Sequence, residues 1–596
     1  MAKKQIKVMD VSFRDGFQSV FGARVLTKDF IPAVVAAREA GIKNFEAGGG
    51  ARFQSMYFYC NEDAFDMMDT FRKTVGNDIN LQSLARGVNV VGLDSQPRDM
   101  IKLHAQLFKK HGMTTIRNFD ALNDVNNLIY SGQCIVEAGL KHEIAIAMMA
   151  LPPGCSGAHD PEFYKKVLQN ILDANIEFHS ICFKDASGTS TPNTVYETIK
   201  IAKSMLPSEI EIKFHTHETA GISVICHKAA LDAGADGLDL AMVPVSGGTS
   251  HPDIVTLWHA LRGTNYDLGL DIEKVLKTEE VFKDCMKDYF LPPEAAKVEP
   301  IIPFSPLPGG ALTANTQMLR DNGIMDKFQD IIKEMGEVVK KGGFGTSVTP
   351  VAQFYFQQSF NNVMFGRWKK IAEGYGKMVL GYFGKTPVAP DPEVIKIAQE
   401  QLQLEPTTEN PIDLNEKDPK KGIAAAKKML EEKGLPFTDE NIFIAGSCKE
   451  KGIDFLLGKT KVMVRKIDTN TKKEKAINNS YTVSINNKNY SVILDGNRAK
   501  VNGNDYNFDI KEGVAETNNF NANTTSIGES IKAPIPGVIV KVLINVGDNI
   551  SEGQTLLVIE AMKMETEIKA KSAGKISAVL ISKGEQVKSG QELVRL

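Results

Sequence analysis

With 596 residues, 42% of them hydrophobic, the chain has material for several cored domains. Lys and Arg total 70 against 73 Asp and Glu, for a net charge of −3, which excludes a polybasic binder of nucleic acid or anionic membrane. The seven cysteines show no C-x-x-C and no paired spacing, and no run of 18 apolar residues occurs, so a reduced, cytoplasmic protein without a membrane span is expected.

From residue 6 to about 262, short apolar runs alternate with longer stretches of helical periodicity. The predicted strands are 6–11, 43–47, 81–85, 114–119, 143–149, 179–183, 210–214 and 237–241. Eight strand-then-helix units in this length match an α/β (β/α)8 barrel, a TIM barrel, in which functional groups stand at the carboxyl ends of the strands. Those ends are rich in ionisable and polar residues: Arg14, Asp15 and Gln18, then Glu46, Arg86, Asp120, Lys184 with Asp185, His215 with His217, and Ser246, Thr249 and Ser250. Strand five ends in Met148 and Met149 and offers nothing obvious. His215 and His217 alternate along one strand, so both imidazoles project to the same side. Together with Asp15 across the barrel they can hold a divalent ion of the Mn, Co, Zn or Fe type.

Residues 263–450 carry amphipathic helical spacing and read as a mainly helical extension of the barrel domain. From 459 to 515 the pattern turns to alternation, in VMVRKI, YTVSIN and YSVILD, predicting a small β module. Residues 516–530 have almost no apolar content and read as a flexible linker. The last segment, 531–596, is an internal duplication: at an offset of 37, Gly537, Gly547 and Gly553 fall on Gly574, Gly584 and Gly590, and Gln554 falls on Gln591. That pattern predicts a two-fold β-sandwich. The stretch without a counterpart connects the halves, and it places Lys563 at a hairpin tip between Met562 and Met564.

EAMKME at 560–565, with APIPG at 533–537 upstream, resembles the biotin carboxyl carrier domain, whose A-M-K-M lysine carries biotin. DVSFRDGFQSVFGARVLTK (10–28), LQSLARGVNVVG (81–92), IRNFDALND (116–124), ICFKD, FHTHETAG, PLPGG (306–310) and VTPVAQ (348–353) resemble, in order, segments of biotin-dependent carboxyltransferases. These are the carboxyltransferase subunits of pyruvate carboxylase and oxaloacetate decarboxylase, with transcarboxylase a more distant relative. The resemblance implies biotin on Lys563 and a divalent metal held by Asp15, His215, His217 and a carbamylated Lys184. It also implies that Arg86 grips the carboxylate of a 2-oxo acid, that Gln18 stands in the site, and that Thr249 relays a proton between substrate methyl and biotin.

Four positions depart from the family's pattern: Phe17 replaces a His, Gly48 a Trp, Val88 a Gln of some relatives, and Leu93 a Tyr. They leave the substrate open between pyruvate and a larger acid such as 2-oxoglutarate. The expected reaction converts pyruvate to oxaloacetate, with a separate ATP-dependent biotin carboxylase subunit and a biotin protein ligase as partners, in a homo-oligomer. Run backward, the same site is that of an oxaloacetate decarboxylase α subunit, which requires a membrane partner. A metal-dependent aldolase-type lyase shares R-D-G-x-Q and H-x-H on a barrel, but Lys184 and the carrier segment speak against it. A non-enzymatic carrier leaves the strand-end residues without a purpose.

Overall fold

The computed structural model describes residues 3–467, 480–507 and 530–596, apart from 486–487, 496–497, 503, 535–536, 562–563 and 589. The expected linker, as far as 529, and the lysine at 563 lie outside the described residues. The chain divides into two compact units, Met1–Arg465 and Lys466–Leu596.

The first unit is built on a closed parallel barrel of eight strands: β1 (Lys7–Asp10), β2 (Asn44–Glu46), β3 (Asn80–Ala85), β4 (Thr115–Phe119), β5 (Lys141–Ala147), β6 (Ser180–Asp185), β7 (Glu211–Thr216) and β8 (Gly237–Leu240). Each of the eight barrel strands read from the sequence is present. β8 closes on β1 in parallel register, Lys7 opposite Gly237 and Asp10 opposite Leu240. The outer helices start where the sequence supplies caps: Asp160 accepts from the Phe163 N–H ahead of Pro161–Asp173, and Thr191 from the Thr194 N–H ahead of Pro192–Met205. Helix Arg98–Lys110 turns Met100, Ile101, Leu103, Leu107 and Phe108 inward and its lysines outward.

The barrel interior is charged as well as apolar. Arg117 on β4 donates to Glu143 on β5 at 2.5 Å and to Asp239 on β8 at 3.1 Å, and all three are fully buried. A buried guanidinium needs such partners on both sides to repay its desolvation.

The helices that follow pack on the barrel. Ile272–Met286 packs on Thr27–Glu39 and sets Phe282 against Phe13 and Phe17, with ring centroids 5.2 and 5.9 Å apart. Helices Gly309–Asp321 and Val351–Phe365 stand at the carboxyl ends of the strands, joined through Phe328–Lys341. The segment before Val351 is pinned to the barrel: Thr346 N–H donates to the Ala121 carbonyl at 2.8 Å, and Asn123 donates to the Thr346 hydroxyl at 3.2 Å. Val462–Arg465, read from alternation as strand, forms none. Its backbone bonds go to the barrel unit, from Met463 N–H to Tyr59 O at 2.7 Å and from Phe290 N–H to Arg465 O at 2.9 Å.

In the second unit, a four-stranded antiparallel sheet spans Ser480–Asn507. The remaining strands form the duplicated sandwich around Ile539, Leu557, Ile559, Ile576 and Leu593. The repeat extends down to its turns. Gly547 and Gly584 share a left-handed conformation, with φ of 97° and 89°. Asn545 N–H donates to Asp548 at 2.7 Å as Ser582 N–H does to Glu585 at 2.9 Å. Strands Thr555–Ala561 and Met564–Lys569 pair antiparallel, and Ala561 opposite Met564 is their last pair.

Candidate active site

Asp15 leaves β1 in the turn Ser12–Gly16, His215 lies on β7, and His217 follows that strand. The barrel brings them together with Lys184 at the end of β6. Lys184 Nζ lies 2.6 Å from His215 Nε2 and 3.4 Å from Asp15 Oδ2, and Asp15 Oδ2 lies 3.6 and 3.8 Å from the Nε2 atoms of His215 and His217. A fifth group, missed in the sequence, completes the cluster. His251, in the loop after β8, places its Nε2 4.0 Å from Asp15 Oδ2 and 3.2 Å from His215 Nε2.

Outer partners set the orientation of two of these rings. His215 Nδ1 donates to Asp239 at 2.7 Å and His217 Nδ1 to the Thr249 carbonyl at 2.8 Å, which turns both Nε2 lone pairs toward Asp15. Burial would raise Asp15, but Arg14, 2.9 Å away, and Lys184 hold its carboxyl well below the usual range. Burial lowers Lys184 and all three histidines, so the imidazoles are neutral donors at neutral pH. His217 Nε2 is buried with no hydrogen-bond partner among the described residues. An ionised carboxylate, neutral imidazoles and an orphaned ring nitrogen converging on one point fit a divalent cation.

Beside this cluster is a pocket lined by Asp15, Gln18, Arg86, Lys184, His217 and Thr349 among others. Arg86 Nη1 donates to the carbonyls of Val91 and Gly92, at 2.8 Å each, which fixes the guanidinium plane. Its Nε is buried with no partner, and no carboxylate among the described residues pairs with it. Burial, helped by the charge of Arg14, lowers its pKa to about 9, so it remains a cation at neutral pH. The Gln18 Oε1 is likewise buried, with no hydrogen-bond partner among the described residues.

The structure does not bring Thr249 to this pocket. Its hydroxyl is fully buried, donating to the Ser19 carbonyl at 2.8 Å and receiving from Thr313 at 3.1 Å. Helix Gly309–Asp321 seals it: a Cβ on Gly309 would lie 1.6 Å from the Thr249 carbonyl oxygen, so only glycine fits there. The threonine in the pocket is Thr349, half-buried, with no hydrogen bond to its hydroxyl among the described residues. Strand five, silent in the sequence, supports this residue: Met149 Sδ accepts from the Ser347 N–H at 3.3 Å, two residues before Thr349.

The departures also find places. Phe17 is core, stacked edge-on to Phe30 at 5.2 Å, and Val88 is buried. Gly48 has φ of 69°, and a Cβ there would meet Met68 Sδ at 3.0 Å. Leu93 is 37% exposed.

Comparison with known proteins agrees with this construction. Family models match at residues 302–494 (conserved carboxylase domain), 121–282 (HMGL-like) and 523–596 (biotin-requiring enzyme). The methylmalonyl-CoA carboxyltransferase 5S subunit of Propionibacterium freudenreichii subsp. shermanii is 30% identical over 74% of this chain and 85% of its own length. A pyruvate carboxylase subunit of Methanocaldococcus jannaschii is 29% identical over 94% of both chains. The carboxyl transferase domain of Rhizobium etli pyruvate carboxylase, solved with pyruvate and biocytin, shares the fold at a TM-score of 0.69, with 22% identity over 86% of this chain and 90% of that one. The chain belongs to the biotin-dependent carboxyltransferases, a barrel enzyme with a divalent metal site that carries its own biotin domain.

Proposed function

We propose that this enzyme moves a carboxyl group between biotin on Lys563 and pyruvate, forming oxaloacetate, and that a separate ATP-dependent biotin carboxylase loads the biotin. The observation that carries the substrate assignment is Arg86. Of the cations lining the pocket, Arg14 is paired with Asp15 and Glu46 and Lys184 with Asp15, leaving Arg86 alone without a carboxylate among the described residues. One unpaired guanidinium edge matches one substrate carboxylate, gripped through Nε and Nη2. A substrate such as 2-oxoglutarate carries a second carboxylate besides the one the reaction installs, and burying that charge without a partner costs several kcal/mol. The M. jannaschii relative, matched along nearly its whole length, is by its name one subunit of a pyruvate carboxylase, which supports a separate partner for the first half-reaction.

Biotin supplies a mobile carrier for the carboxyl group, and the divalent ion supplies Lewis-acid polarisation of the 2-oxo oxygen. Asp15, His215, His217 and Lys184 would hold the ion, Lys184 as its carbamate: burial favours the neutral amine, whose nitrogen bonds to CO2 and sheds a proton. Arg86 fixes the substrate carboxylate so that the methyl carbon faces Thr349. Thr349 Oγ1 would relay the substrate's methyl proton, giving up its own proton as it takes that one; biotin would supply the nitrogen that accepts it, freed by loss of CO2, and the CO2 that bonds to the deprotonated carbon. Gln18 holds the enolate oxygen's side of the pocket. The test supplies the biotinylated chain with a biotin carboxylase, ATP and bicarbonate, and compares kcat/KM for pyruvate and 2-oxoglutarate. Pyruvate should be preferred by at least roughly a hundredfold, the penalty of one unpaired buried charge. Preference for 2-oxoglutarate would overturn the assignment.

A further inference from the structure

We infer that His251 is a direct ligand of the divalent ion, so that this enzyme holds its metal with three imidazoles and one carboxylate before Lys184 contributes. The inference rests on the metal site of the proposed function and adds a residue to it.

Three observations carry it. First, position: two donors on one ion, each about 2.1 Å from it, can lie no more than roughly 4.2 Å apart. His251 Nε2 meets that limit toward both Asp15 Oδ2, at 4.0 Å, and His215 Nε2, at 3.2 Å. Second, electron pairs: His215 gives its Nδ1 proton to Asp239, so its Nε2 has one lone pair to offer. Lys184 Nζ at 2.6 Å and His251 Nε2 at 3.2 Å both face that lone pair, and it cannot accept from both. A cation between the rings resolves the conflict, because each nitrogen then donates its own pair. Third, rigidity: His251 is fully buried and cannot swing aside. Its ring packs against those of His215 and His217, with centroids 4.4 and 4.1 Å away. Its loop is tied down by Gly247 N–H to His251 O at 2.7 Å, Glu218 N–H to Ser250 O at 2.6 Å, and Ala241 N–H to Pro252 O at 3.1 Å.

Two consequences follow. A nitrogen-rich set selects Zn, Co or Fe over Mg or Mn. Four protein donors also stand ready whatever the state of Lys184, so the ion should stay bound in CO2-free buffer.

X-ray absorption at the metal edge of the cobalt-loaded, full-length enzyme counts imidazoles directly. Three are expected in the wild type and two in His251→Gln. That variant should also lose cobalt to a chelator at least roughly tenfold more readily, most clearly without CO2, and its preference should move toward Mn. Two imidazoles in the wild type would overturn the inference, whatever the variant does, even if it fails to fold. An unchanged imidazole count in a folded His251→Gln would overturn it equally, since a residue that only steadies its neighbours changes affinity and not the count. Absence of any bound metal would instead strike at the metal site itself.

Discussion

His217 Nδ1 donates to the carbonyl oxygen of Thr249 at 2.8 Å, so the backbone of Thr249, and not its side chain, serves the metal site. The hydroxyl is spent on Ser19 and Thr313. Thr249→Val should therefore keep the ion and keep turnover within a few fold, while costing about 1–2 kcal/mol of stability for the lost buried hydrogen bonds. Thr349→Ala should do the reverse. Losing a positioned proton-transfer group lowers kcat by roughly 100- to 10,000-fold, with metal content, biotinylation and melting temperature unchanged. Steady-state kinetics and chemical denaturation of the two variants, side by side, separate the roles. Thr249→Val as the inactive variant would return the relay to Thr249.

That exchange shows what the sequence could and could not tell. The barrel was legible because eight apolar runs recur at the spacing of strand-helix units, and among the strand-end residues are Asp15, Lys184, His215 and His217, which the fold gathers at one point. A strand's alternation fixes which way a side chain points; a loop has no such periodicity. His251 and Thr249 both sit in the loop after β8, and only the fold turns one toward Asp15 and the other toward Ser19. Thr349 arrives from a segment anchored by Ala121 and Met149, contacts between residues more than 190 positions apart that no local pattern encodes.

Asp10 should govern part of the pH dependence of stability. It is fully buried at the end of β1, with Oδ2 lacking a hydrogen-bond partner among the described residues; burial raises its pKa to about 7, opposed by the Ser12 N–H at 2.9 Å. A folded-state pKa above the unfolded value means that the folded protein binds the extra proton. Its contribution is therefore complete below about pH 4 and is lost as pH rises through about 7. Asp10→Asn never has to ionise, so its denaturation free energy should fall less between those limits, by up to roughly 4 kcal/mol. Parallel pH profiles for wild type and variant would show that Asp10 is not the group responsible.

Lys184 can be tested apart from the histidines. Its burial, 3.4 Å from Asp15 and 2.6 Å from His215, leaves no room for a fixed cation once an ion is bound. Labelled CO2 should give a carbamate carbonyl signal by NMR that is absent from Lys184→Ala. That variant should keep its ion through the remaining donors and lose at least roughly a hundredfold in kcat, the worth of one charged ligand at the reacting centre. Lys184→Arg, which keeps a positive charge and cannot form the carbamate, should lose both turnover and metal. Normal turnover in Lys184→Arg would remove the carbamate from the mechanism.

The carrier should report on Lys563 independently of the barrel. The duplicated turns, with Gly553 and Gly590 at φ of 81° and 79°, make the sandwich a rigid mount, and Ala561 opposite Met564 is the last pair of its central hairpin. In sequence only Met562 and Lys563 lie between those two residues. Lys563→Arg keeps the charge but offers no amine for an amide bond to biotin. It should be silent on an avidin blot and inactive, with metal content and melting temperature at wild-type values, because nothing in the barrel is altered. Mixing it with Thr349→Ala, whose biotin is intact, then asks which barrel a carrier serves. A tethered domain acts at an effective concentration in the millimolar range if its linker reaches the site, and contributes nothing there if it does not. Activity recovered in the mixture, and absent from either variant alone, would show that the carrier of one copy loads the barrel of another. No recovery in a confirmed mixed assembly would confine each carrier to its own chain. An avidin signal surviving in Lys563→Arg would place the biotin elsewhere and undo both readings.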